Sequence, residues 1–279
     1  MPESRVTVPS IAEAPARGER VVMVTAYDCP QGRQADAAGV DVVLVGDSLA
    51  MVVLGHEDTL AVTMDEMLHH VKAVRRGVRR ALLVADMPYG SFHLGAEHAV
   101  ANALRFLKEG GAQAVKIEGD RPDLVRALVA AEVPVMAHLG LTPQSVHKLG
   151  GFKVQGRGAA AGERLLAAAR EAQEAGAFSL VLECVPAALA VEVSAALAIP
   201  TIGIGAGPGC DGQVLVYHDL LGLEERIAPR FVRRYAQLGT LAREGIAAFA
   251  ADVRAGRFPS SEESYGDPTR TEAVGRLYG

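Results

Sequence analysis

An α/β fold in which parallel strands close into a (β/α)8, or TIM, barrel is what this sequence predicts. Three observations carry that prediction. Eight short apolar runs alternate with helix-like segments along 279 residues, the pattern of a parallel sheet. Five of those runs deliver a polar side chain at or near their C-terminal end. The first run opens into Thr25-Ala26-Tyr27, without the Gly-rich fingerprint that follows strand one of an open dinucleotide-binding sheet. Eight units in one chain of this length fit a closed barrel better than an open, doubly wound sheet.

Residues 1–20 are mixed and polar, with Pro2, Pro9 and Pro15, and read as a segment outside the barrel with a short helix near Ile11 to Ala14. The catalytic domain is expected over 21–258, and 259–279 as a polar C-terminal tail. Val21 to Thr25 reads as strand one, followed by an Ala-rich helix that Gly39 stops. Val42 to Val45, four apolar residues in a row, reads as a strand buried on both faces. Ser48 to Leu60 has no clear period and reads as an active-site loop. Thr63-x-x-Glu66 is a capping box that opens a helix ending near Gly77.

Leu82 to Ala85 is strand three, Ala114 to Ile117 strand four, and Val133 to Ala137 strand five. Helices are expected at Ala96 to Glu109 and from Pro122, whose missing N–H costs nothing in a first turn. Leu139 to Gly158 is a long Gly-rich connection, a length usually functional or disordered inside a domain. A helix over Gly162 to Ala175 precedes strand six, which ends at Glu183. A further helix spans Pro186 to Ala196. Thr201 to Gly205 and Gln213 to Tyr217 are strands seven and eight. A last amphipathic helix lies within Phe231 to Ala255.

Composition narrows the function. Net charge is -5, and the pI is about 5.9. That acidic balance argues against nucleic acid as a partner. The Arg-rich stretch from Lys72 to Arg80 reads as a solvated helix end. Hydrophobic content of 49% and a mean hydropathy of +0.18 allow a large core and favour a buried subunit interface. Three cysteines, Cys29, Cys184 and Cys210, without C-x-x-C spacing, indicate neither a disulfide framework nor a zinc site. They fit a reducing, cytoplasmic setting. No apolar run suits a secretory signal or a membrane helix.

Barrel closure would gather Asp47, Asp86, Glu118, His138 and Glu183 at one mouth. Three carboxylates in a small space repel one another unless a cation is present. Oxygen-only ligation by Asp47, Asp86 and Glu118 favours Mg2+ over Zn2+. The alternative for any one acid is a helix cap or a pair with Lys116. A metal with open positions can chelate a 2-oxo acid and stabilise its enolate. Lys116 and Ser48 are candidates to bind the substrate carboxylate, and His138 to hydrogen-bond nearby. Glu183 lies in apolar company between Leu182 and Cys184, which suits a general base at carbon. Its alternatives are metal ligation or a cap. Gly203-Ile204-Gly205-Ala206-Gly207 could cradle a phosphate or let a large ligand approach. Cys29 and Cys184 lack a base partner and read as packing residues.

At these residues the sequence resembles the ketopantoate hydroxymethyltransferase family. The pieces that carry the resemblance run in order. They include Thr25-Ala26-Tyr27-Asp28, Val45-Gly46-Asp47-Ser48-Leu49, Ala85-Asp86-Met87-Pro88 and Val115-Lys116-Ile117-Glu118-Gly119. They continue through His138-Leu139-Gly140-Leu141-Thr142-Pro143-Gln144-Ser145, Leu182-Glu183-Cys184-Val185-Pro186 and Ile202-Gly203-Ile204-Gly205-Ala206-Gly207. The resemblance implies a barrel of the phosphoenolpyruvate mutase/isocitrate lyase-like group. It implies one-carbon transfer from 5,10-methylenetetrahydrofolate to 3-methyl-2-oxobutanoate in pantothenate synthesis. It implies Mg2+ at Asp47, Asp86 and Glu118, substrate contacts from Asp47, Ser48, Asp86, Lys116 and His138, and Glu183 as proton acceptor. A cytoplasmic homodecamer is also implied. The rival is a Mg-dependent 2-oxo-acid aldolase or lyase of the same group that uses no folate.

Overall fold

Period-two alternation along eight strands decides what this molecule holds inside. The computed structural model describes residues 4–226 and 229–265. Val21–Thr25 (β1), Val42–Val45 (β2), Leu82–Asp86 (β3), Ala114–Glu118 (β4), Val135–Gly140 (β5), Ser179–Glu183 (β6), Thr201–Ile204 (β7) and Gly212–Leu215 (β8) pair in chain order, all parallel. The β8 strand returns to β1, with Val21 beside Gly212, and closes the barrel. Closure removes both sheet edges.

One set of alternate residues faces inward. Val21, Met23, Val42, Leu44, Val84, Ala114, Met136, Val181 and Ile202 belong to a single buried cluster. Two residues further along the same strand faces come Asp86, Lys116, His138 and Glu183. The interior therefore changes from apolar to ionic as it approaches the C-terminal mouth. The complementary set, such as Val43, Val45, Leu83, Ala85, Val115, Ile117, Leu180 and Leu182, packs outward against helices.

Helices follow the strands: Val8–Ala12 (α1), Cys29–Ala37 (α2), Leu49–Val52 (α3), Met64–Gly77 (α4), Ala96–Lys108 (α5), Pro122–Ala130 (α6), Val146–Leu149 (α7), Ala159–Glu174 (α8), Ala187–Ala196 (α9), Tyr217–Leu220 (α10) and Leu238–Arg254 (α11). The α4 helix has the expected box, with Thr63 N donating to Glu66 Oε2 at 2.8 Å and Glu66 N to Thr63 Oγ1 at 3.3 Å. Arg75 and Arg76 lie in its last turn, beside the carbonyl end of its dipole. Phe106 of α5 is fully buried, and its truncation to Ala would cost ~3–5 kcal/mol.

Five segments depart from or add to expectation. The N-terminal segment is not free of the barrel. Val6, Ile11 and Ala14 join the interior cluster, and Val6 N donates to Arg80 O at 2.9 Å, so α1 stoppers the N-terminal end. Strand five starts two residues later than expected and runs on through His138 to Gly140, because β6 pairs with it as far as Gly140 opposite Glu183. The Ser48–Leu60 and Leu139–Gly158 stretches contain short helical turns at α3, at Pro143–Ser145 and at α7. Last, α11 buries none of its residues: Leu241, Ile246, Phe249 and Val253 are all exposed. Of the expected C-terminal tail, 266–279 lies outside the described residues.

Candidate active site

Register builds the site before any side chain is considered. In the parallel ladder Asp86 stands beside Lys116, Glu118 beside His138, and Gly140 beside Glu183. Lys116 Nζ donates to both Asp86 oxygens at 2.7 Å and lies 3.7 Å from Glu118 Oε1. His138 bridges the next gap, with Nδ1 3.4 Å from Glu118 Oε1 and Nε2 3.3 Å from Glu183 Oε2. Neither ring nitrogen makes a hydrogen bond of regular geometry, so these are ion-pair contacts rather than tight bonds. Asp47, on the loop after β2, turns its backbone N–H toward Asp86 Oδ2 at 3.4 Å. Ser48 Oγ and the Tyr27 hydroxyl are hydrogen-bonded at 2.8 Å.

Sequence reasoning missed Gln144. Its Nε2 donates to Asp47 Oδ2 at 2.8 Å and to Met87 O at 2.9 Å, while its backbone N–H donates to Glu118 Oε2 at 3.1 Å. One residue thus ties the β5 connection to two of the acids. Pro143 at the start of its 3-10 turn is the only local signal. Gly140 explains the close approach of β5 to the base. At φ +97° it is in the left-handed region, and an added Cβ would stand 2.2 Å from Glu183 O. Cys184, at φ 47°, turns the chain directly after Glu183, and its carbonyl accepts from Gln155 N at 2.9 Å.

Electrostatics sort these groups. Burial, then the charges of Asp86 and Glu118, hold the Asp47 carboxyl well above the usual carboxylate range. Burial also raises Asp86, against the pull of Lys116. Glu118 ends below the usual range: burial opposes ionisation, but contacts from His138, Lys116 and the Gln144 amide outweigh it. Burial disfavours the Lys116 ammonium, yet three carboxylates more than compensate and its pKa rises. His138 is depressed by burial and by Lys116, then lifted further by Glu118 and Glu183 to about 9.

All the predicted site residues line a single cavity of about 400 Å3, in which Asp47, Asp86, Lys116, Glu118 and His138 are buried and Ser48 is half-buried. Glu183 lines its rim and is 17% exposed. The acids do not, however, form a ready triad. Among the described residues no three His, Cys, Asp or Glu side chains are grouped to hold an ion. Lys116 stands between Asp86 and Glu118, and Gln144 takes one oxygen of Asp47. Asp47 and Asp86 remain adjacent. The glycines after β7 are also not an open cradle: added Cβ atoms would meet Cys210 and Gln213 at Gly203, Phe231 at Gly205 and Ala187 at Gly207.

The chain is a closed parallel barrel with a charged pocket at its C-terminal mouth, and the solved structures that share this fold include members of the phosphoenolpyruvate mutase/isocitrate lyase superfamily. A crystal structure of 2,3-dimethylmalate lyase, a member of that superfamily, aligns with TM-score 0.58 at 19% identity, covering 92% of this chain and 91% of that one. Phosphonopyruvate hydrolase, in complex with oxalate and Mg++, aligns with TM-score 0.59 at 14% identity, over 94% and 92%. The family is narrower. The chain belongs to the ketopantoate hydroxymethyltransferases, whose family model matches residues 5–261. The 3-methyl-2-oxobutanoate hydroxymethyltransferase of Moorella thermoacetica is 57% identical over 264 residues, covering 94% of this chain and 98% of that one.

Proposed function

We infer that this chain moves a one-carbon unit from 5,10-methylenetetrahydrofolate to 3-methyl-2-oxobutanoate. With water, the products are 2-dehydropantoate and tetrahydrofolate, a step of pantothenate biosynthesis. The observation that supports this best is the pairing, in a member of this family, of a buried wall of Asp47, Asp86, Glu118 and Lys116 with a carboxylate, Glu183, at the rim. Lys116 and Ser48 bind the carboxylate of the oxo acid, beside Asp47 and Asp86. His138, held between Glu118 and Glu183, donates a hydrogen bond to the bound acid. Glu183 accepts the C3 proton. The carbon nucleophile so formed attacks the methylene carbon carried by folate, and water supplies the hydroxyl oxygen.

The acid set fits Mg2+. Burial and mutual repulsion leave Asp47 short of a counter-charge, and every donor is a hard oxygen. Asp47 and Asp86 would hold the ion, with Glu118 completing the acidic wall behind Lys116. Bound there, it would supply Lewis-acid polarisation of the oxo group. A homo-oligomeric assembly in the cytoplasm, a decamer, goes with the same family and with the exposed apolar residues of α11. Among the described residues no helix is long and apolar enough to cross a membrane.

The test is Glu183→Gln. It should keep oxo-acid binding yet lose exchange of the C3 proton with solvent. Unchanged exchange would remove Glu183 from the base role. Assaying 2-dehydropantoate with and without methylenetetrahydrofolate separates this function from a folate-independent lyase.

A further inference from the structure

The cavity continues beyond the acid cluster. Past the end of β8 it is lined by Asp219, Glu224, Arg226 and Phe231, together with Met51 and Thr59. None of these has a part in the oxo-acid chemistry. A small branched oxo acid leaves most of about 400 Å3 unfilled. Volumes of roughly 300–1,000 Å3 enclose much larger ligands.

The groups in this outer lobe differ in how far they are satisfied. Glu224 is committed, taking the Arg226 guanidinium at 2.7 Å and the Arg226 backbone N–H at 2.6 Å. Asp219 is half-buried at the cavity wall; the Arg234 charge acts on its carboxylate, which among the described residues makes no side-chain hydrogen bond or close salt bridge. Burial and Glu224, opposed by Arg234, push its pKa up to about 6, so a neutral solution still leaves it mostly ionised. Thr59 is only 2% exposed, lines the same cavity, and its Oγ1 has no partner among the described residues. Buried polar atoms normally have one. Phe231 gives the lobe an aromatic wall. Its ring lies over Gly205, where an added Cβ would come within 2.9 Å of it, and the same position faces Cys184, next to Glu183. Asp47 and Asp219 line the same cavity, so the two lobes are continuous.

A ligand that satisfies this lobe needs adjacent donors along one edge and a flat face. The pterin of a reduced folate has both. Its ring N–H and amino group present parallel donors to a carboxylate, in the bidentate manner of a guanidinium. Its plane can pack on an aromatic ring. Resting on the hydroxymethyl-transfer function above, we propose that this lobe is the folate subsite, with Asp219 anchoring the pterin edge and Phe231 forming its stacking wall. The one-carbon unit would then lie between the anchor and Glu183.

Calorimetric titration of tetrahydrofolate into the full chain with Mg2+ tests this, using wild type, Asp219→Ala and Asp219→Asn. Loss of a charge-assisted anchor should raise the Kd for tetrahydrofolate about tenfold or more, and the KM for methylenetetrahydrofolate in parallel. The Kd for 3-methyl-2-oxobutanoate should stay within about twofold, showing an intact inner site. The proposal is overturned if both variants bind tetrahydrofolate like wild type, or if both ligands weaken equally. If wild type turns over and the variants keep its folate KM, this subsite alone is wrong. If wild type binds the oxo acid but makes no product with folate, the function falls, and the subsite with it.

Discussion

Lys116 stands between the buried acids Asp86 and Glu118, so Lys116→Met is the sharpest perturbation of the site. The ammonium donates to both Asp86 oxygens at 2.7 Å, and the two side chains are 5% and 2% exposed. Solvent cannot replace what is lost there. Breaking a buried pair by removing one partner costs ~3–5 kcal/mol. With roughly 2.1 cal/mol/K of unfolding entropy per residue over 279 residues, that is a fall in Tm of about 5–9 °C. The acids left behind can take up protons instead, so the loss should be smaller near pH 5.5 than near pH 8. Differential scanning fluorimetry in EDTA at both pH values measures this. The double variant Lys116→Met with Asp86→Leu should recover part of the loss, because both charges go together. A single-variant Tm within about 2 °C of wild type near pH 8, or a double variant no better than the single, would refute the electrostatic reasoning.

His138 gives a second pH dependence. Its folded-state pKa of about 9 lies above the ordinary 6.5, so its contribution is fully present below about pH 6.5 and is lost as pH rises through 9. Wild type minus His138→Gln stability, from urea melts across that window, should shrink by about 3 kcal/mol, and a flat difference would count against the ion pairs. Gly140→Ala places a Cβ 2.2 Å from Glu183 O. It should destabilise by roughly 2–4 kcal/mol and lower kcat by moving the base, read from melts and steady-state assays. Gln144→Leu removes the donor to Asp47 and should cost ~1.5–3 kcal/mol in urea denaturation, with less of a loss when Mg2+ is present.

Much of this was legible in the chain itself. The apolar runs Val21 to Thr25 and Val42 to Val45 coincide with β1 and β2, because strands buried on both faces carry an unbroken hydrophobic signal. The polar residues at strand ends were legible for the same reason: a charge after such a run has to leave the core or meet a partner. What those charges do to one another was not. Lys116 between Asp86 and Glu118, and Gln144 on Asp47, depend on register between distant strands and on a loop folding back across the mouth. The Gly203–Gly207 stretch looked like a ligand cradle, yet its space is taken by Phe231, Ala187 and Gln213, residues that no local pattern brings there. The eighth connection, with Asp219, followed the same strand-end grammar but lay beyond a short, weakly marked strand.

The packed layer of inward strand side chains, capped beyond by α1, makes the pocket a blind-ended well. Whatever enters must leave by the way it came. On the proposed function the oxo acid would lie at the floor and the larger co-substrate in the throat above it, so the oxo acid would enter first and depart last. Such a vessel has one mouth, and a five-residue helix caps the opposite end, on the far side from the chemistry.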